Sequence, residues 1–161
     1  MRIGLVAIVL VLMCPLQSMA DTAKPSAFFG VLFINTTLAP TSDEERARMA
    51  ELERRLVDGL EASGHYAMID TTPVRAKMDL YSNLSNCNGC DTDLAKELGA
   101  DFAISGELQK TSNLILALSI YIKDAETGAL VAGGSADMRG NTDESWFRTL
   151  SWLLRNRILK D

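Results

Sequence analysis

A chain of 161 residues, 47% apolar and 23% charged, has the size and composition of one globular domain able to bury its own core. Its formal charge of −5 is mildly acidic, and nothing in the sequence resembles the basic stripe that nucleic-acid binding requires.

Residues 1–20 read as a secretory signal peptide. Arg2 is a minimal positive start, and residues 3–13 are an apolar segment too short for a bilayer span, which takes about 20 residues. Ser18 and Ala20 put small side chains at the two positions signal peptidase reads, so cleavage is expected between Ala20 and Asp21. A lipoprotein acylated at Cys14 is the alternative, although Met13 is large where a small residue should precede the cysteine. An uncleaved anchor is the third reading. Cleavage leaves no stable membrane anchor and places the protein in the periplasm. Two cysteines then remain, Cys87 and Cys90, an even count in an oxidising compartment. Residues 21–26 form a polar lead-in, and 27–161 a single domain.

Residues 28–35, Phe-Phe-Gly-Val-Leu-Phe-Ile-Asn, are a near-continuous apolar run that suits a strand buried on both faces. Pro40 marks the loop that follows. Ser42 and Glu45 form a capping box, with Asp43 and Glu44 at the positive end of the helix dipole. Met49, Leu52, Leu56 and Leu60 then recur on one helical face, and Ser63-Gly64 stops the helix. Residues 66–70 are a short second strand. Thr71-Thr72-Pro73 opens a second, weaker helix to Leu80.

After an Asn-rich loop, Asp91 or Thr92 caps a short helix that Gly99 ends. A third strand spans 101–109, and residues 110–113 are a turn. In the fourth strand Leu114, Leu116, Leu118, Ile120 and Ile122 share one face. The loop 124–128 closes a hairpin with Gly128, and 130–138 is the fifth strand. Asn141, with Glu144 three residues on, caps a last helix whose apolar face is Trp146, Leu150, Leu153, Leu154 and Ile158. The order is βα-βα-α-βββ-α. The fold class is α/β (α+β): a mixed five-stranded sheet packed by the two long helices.

Cys87-Asn88-Gly89-Cys90 is the sharpest local feature. A structural disulfide fixing a turn is the reading the residues favour. A redox pair is the alternative, because a cysteine at a helix N-terminus is activated. Yet no proline follows Pro73 to supply the cis-Pro loop of thioredoxin-like enzymes. Haem attachment needs His where Asp91 stands, and zinc needs further ligands beside the single histidine, His65. His65 follows a helix stop, with no G-x-S-x-G motif to join a nucleophile to it. Gly133-Gly134 lie in a strand pattern and suggest a bulge or a close backbone approach, not a phosphate cradle. Asn35-Thr36-Thr37 and Asn83-Leu84-Ser85 match a glycosylation sequon that is common by chance. No cofactor or metal motif emerges. Arg139 to Trp146 reads either as a strand end, an Asn cap and a core Trp, or as an exposed recognition loop, since Trp and Arg are favoured at interface hot spots.

Leu98-Gly99-Ala100-Asp101 leading into Ser105-Gly106-Glu107-Leu108, together with the element order and the turn 124–128, resembles the amino-terminal domain of the Tol translocation protein and the curli-secretion type of periplasmic domain. A second resemblance is to a family of small secreted bacterial proteins of unknown function. It is carried by residues 29–33, by Asn86-Cys87-Asn88-Gly89-Cys90-Asp91 and by Arg139-Gly140-Asn141-Thr142-Asp143-Glu144-Ser145-Trp146. It implies a periplasmic accessory protein, beside quinoprotein alcohol-oxidation systems, with no catalytic residues to carry over. The expectation is thus a non-catalytic protein that docks to a periplasmic protein partner through Asp91, Arg139, Asn141 and Asp143. The alternative is a thiol–disulfide redox protein using Cys87 and Cys90.

Overall fold

The computed structural model describes residues 22–160. The expected signal peptide, its Ala20–Asp21 cleavage point and Cys14 lie outside the described residues. The chain runs β1 (Lys24–Asn35), α1 (Asp43–Ala62), β2 (Tyr66–Ile69), α2 (Arg75–Met78, entered through a tight turn), α3 (Cys90–Glu97), β3 (Phe102–Lys110), β4 (Leu116–Asp124), β5 (Leu130–Met138) and α4 (Asp143–Leu153). The sheet order is β2-β1-β3-β4-β5. β1 lies parallel to β2 and β3, and the remaining pairs are antiparallel. This is the mixed sheet the sequence predicts, with α1 crossing from β1 to β2 and a meander closing the other side.

Ser42 caps α1 as expected. Its side chain accepts from the Glu45 amide, and the Glu45 carboxylate accepts from the Ser42 amide at 2.9 Å. Leu52, Leu56 and Leu60 on the apolar face of α1 are fully buried. Together with Trp146, Leu150 and Leu153 of α4 they pack on the sheet face carrying Ile104, Leu108, Leu118 and Ile120. The opposite face is covered only near β1 and β3, by α2 and α3. Its layer is built from smaller residues such as Ala27, Ala95 and Ala103, with Phe29 and Met78.

Several boundaries move, each for a physical reason. β1 begins at Lys24 and takes in the end of the predicted lead-in, because Lys24–Ala27 pair in register with Tyr66–Ile69. Backbone pairing there needs no apolar run. Lys110 is not in a turn but is the buried last residue of β3. Leu114 and Ile115 fall outside β4 and are exposed, since the Thr111 and Ser112 amides fold back onto the Ile115 carbonyl. The cap of α3 is Gly89, not Asp91 or Thr92, and that of α4 is Thr142, not Asn141.

Candidate functional site

Three loops meet at one end of the sheet, where β1 and β3 finish. The Thr36 amide and hydroxyl both donate to the Lys110 carbonyl at 2.9 Å. On the other side Gly140 N–H donates to the Leu114 carbonyl, and Asn141 N–H to the Asn113 carbonyl. Between them lies a cavity of about 540 Å³ whose walls include Pro40, Glu45, Lys110, Leu114, Asn141 and Thr142.

The floor of this cavity is a buried ion pair. Lys110 Nζ donates to Glu45 Oε1 at 2.6 Å, with the two side chains only 6% and 4% exposed. Asn141 Nδ2 donates to the same oxygen at 2.6 Å. Asn141 Oδ1 accepts from Arg48 Nη1 at 2.9 Å and from Trp146 Nε1 at 3.0 Å. Arg48 lies over the Trp146 ring, 5.1 Å from its centroid, and its Nε donates to Asp143 at 2.7 Å. Burial works against the charge of Glu45. The hydrogen bonds from Lys110, the Ser42 amide and Asn141 outweigh it and hold the carboxyl below its ordinary value. Both carboxylate oxygens are engaged, so the cluster ties α1, β3 and the β5–α4 loop together and leaves no idle acid or base.

The rim differs in character. Leu38, Leu114 and Ile115 are exposed on two of the three loops. Arg139 and Asp143 are exposed on the third segment, while Asn141 turns inward.

The predicted docking surface is therefore corrected in two respects. Asp91 is completely buried, its Oδ2 accepting from Lys123 Nζ at 2.7 Å, so it presents no surface to a partner. Nor is it near the other three residues. Lys123 pairs with Ala103 at the start of β3, whereas Asn141 meets Lys110 at its end. The two segments also lie against opposite faces of the sheet. What the sequence reading missed is Glu45–Lys110. The alternation Ile104, Gly106, Leu108, Lys110 puts the lysine on the buried face, a signal hidden by its polar neighbours.

Cys87 and Cys90 are joined, with their Cα atoms 5.6 Å apart. Asn88 and Gly89 adopt positive φ, and Cys90 is buried at the start of α3. A glycine suits the sharper of these positions, φ +104°, because it has no Cβ to clash. The bond clamps one turn. Thiol reagents applied without reductant should label neither cysteine, and reduction should lower stability by only about 2 kcal/mol, read from urea midpoints. Global unfolding on reduction would contradict this local role.

Fold and site together define a small mixed-sheet domain with a polar pocket at one end of its sheet. Among the described residues, no cluster of three or more His, Cys, Asp or Glu side chains forms a metal site, and no helix is long and apolar enough to cross a membrane. Residues 24–158 match the family described as "Protein of unknown function (DUF2380)", and the chain belongs to that family. No curated protein matches it. The fold is shared with the LpoB C-terminal domain from Salmonella enterica, at 14% identity over 76% of this chain and 87% of that one, with a TM-score of 0.51. It is also shared with lipoprotein GNA1162 from Neisseria meningitidis, at 13% identity over 80% and 91%, with a TM-score of 0.54. TolB from Acinetobacter baumannii aligns with 77% of this chain and 25% of its own length at 13% identity, with a TM-score of 0.38. Identities this low speak for the fold alone.

Proposed function

We propose that this protein is a non-catalytic periplasmic accessory protein that docks to another protein through the loop-built end of its sheet. The observation that carries this reading is the exposure of Leu38, Leu114 and Ile115 on adjoining loops around a pocket, Leu114 at 72% and Ile115 at 53%. Leu114 lines the pocket, and Leu38 and Ile115 adjoin its lining residues Ala39 and Leu114; single exposed aliphatics are ordinary, but several on loops around one cavity are the usual mark of an interaction surface. Arg139 and Asp143 supply a polar rim of both signs. The saturated cluster beneath holds the loops in one arrangement, which lowers the ordering cost of binding. The fold kinship with lipoprotein GNA1162 supports an envelope location by analogy. Nothing among the described residues points to a quinoprotein system.

A photo-crosslinking residue at position 114 should capture one defined protein in the cell, while the same residue at the distant exposed position Val131 should not. Ile115→Asp and Arg139→Ala should each weaken that capture, the aspartate by about tenfold or more, with melting temperatures nearly unchanged. Equal crosslinking from both positions, or turnover by the purified protein that is lost in Cys87→Ser, would overturn the reading in favour of another surface or of the redox alternative.

A further inference from the structure

A second feature stands apart from the docking end and does not depend on it. β2 pairs with β1 only over Lys24–Ala27, and after Ile69 the chain turns away into α2. β1 continues for eight more residues, paired with β3 on one side only. A bulge between Phe28 and Val31 inserts one residue and reverses which backbone groups face outward. The Thr36 amide donates to the Lys110 carbonyl, so the groups of Ile34 and Thr36 face β3 and those of Val31, Phe33 and Asn35 face the open side.

The bulge is built around Gly30, at φ +89°, where a Cβ would stand 3.2 Å from Glu53 Oε1. That close approach lets Glu53 accept from the Val31 amide at 2.7 Å. Glu53 thus caps the first outward N–H of the open edge and leaves Phe33 and Asn35 beyond it. Neither outward amide has a hydrogen-bond acceptor among the described residues. Glu53 itself has no cationic partner among the described residues, whereas the nearby Arg46 is held by Asp43 and the Thr41 carbonyl.

A cavity flanks this edge on each face of the sheet. On the α2–α3 side, about 580 Å³ is bounded by Leu32, Glu53, Arg75, Asp79 and Asn83 among others. On the α1 side, about 400 Å³ is bounded by Val31, Phe33, Arg46, Met49 and Glu53. An extended chain added to a strand edge hydrogen-bonds through its backbone and sends alternate side chains to opposite faces. An open edge between two cavities matches that pattern.

We infer that the outer edge of β1 at Val31–Asn35 binds an extended peptide segment of a partner by strand addition, with a Lys or Arg of that segment set against Glu53. The apolar wall of Val31, Phe33 and Met49 takes an aliphatic side chain on the α1 face. The mixed wall opposite, where Arg75 already sits against Asp79 at 3.6 Å, takes polar side chains and leaves Glu53 for the cationic one. The net charge of −5 favours a cationic segment.

The test is selection of a random heptapeptide phage library on the purified protein, followed by amide hydrogen exchange with the synthetic winner. Enriched peptides should contain Lys or Arg within an alternating pattern, and on binding should slow exchange of the Phe33 and Asn35 amides. Glu53→Gln keeps an acceptor for the Val31 amide and removes the charge; it should weaken binding by about tenfold. Failure to enrich any peptide, unaltered exchange at Phe33 and Asn35, or equal binding by Glu53→Gln each overturns the proposal. So does a concentration-dependent dimer that protects the same amides without peptide, which would assign the edge to a second copy of the chain.

Discussion

Lys110→Ala should be among the most damaging single substitutions in this protein, at about 3–5 kcal/mol, because it leaves the Glu45 carboxylate buried without its cation. Urea unfolding at neutral pH measures it. The sign of the pH dependence follows from the direction of the Glu45 shift. In the wild type its folded value lies below the ordinary 4.5, so its contribution is complete above that pH and is lost as the pH falls through the folded value. Without Lys110 the desolvation of Glu45 loses its chief offset, and the carboxyl rises. The gap between wild type and variant should therefore narrow as the pH drops from 7 towards 4. A constant gap would mean that lost packing, not uncompensated charge, is the cause. Lys110→Met with Glu45→Gln should recover about half of the loss. Full recovery is not expected, because Asn141 and the Ser42 amide donate to different oxygens of Glu45, and glutamine sets an NH2 donor against one of them.

Elements with strong local signals were legible in the sequence. The capping box at Ser42 and Glu45, the alternation from Leu116 to Ile122 and the face of Trp146, Leu150 and Leu153 all sit where their periodicity places them. The features that failed depend on neighbours remote in the chain. Asp91 looks like a surface cap until Lys123, thirty-two residues away, reaches it from β4. Asn141 has the right residue type for a cap, yet Glu45, Arg48 and Trp146 compete for its side chain and Thr142 takes over the capping. The shortness of β2 was legible, but the open edge it leaves on β1 follows from the sheet order β2-β1-β3, which no local signal fixes.

Trp146 is where these remote contacts converge, and Trp146→Ala should cost about 3–5 kcal/mol. The ring is fully buried, packs against Phe33 with centroids 5.8 Å apart, and lies beneath Arg48. Its indole N–H also fixes Asn141, which in turn holds Glu45. Trp146→Phe separates the two roles. It keeps most of the apolar packing but removes the donor, leaving Asn141 Oδ1 with Arg48 alone, and should cost about 1–2 kcal/mol. The two tryptophans make the outcome readable. Trp146 is buried and Trp152 is 41% exposed, so the blue-shifted part of the emission belongs to position 146 and should vanish in the phenylalanine variant. If the indole contact orders the β5–α4 loop as well as the core, Trp146→Phe should also speed amide exchange at Asn141 and Gly140. Unchanged exchange there would confine Trp146 to packing and detach the loop from the cluster beneath it.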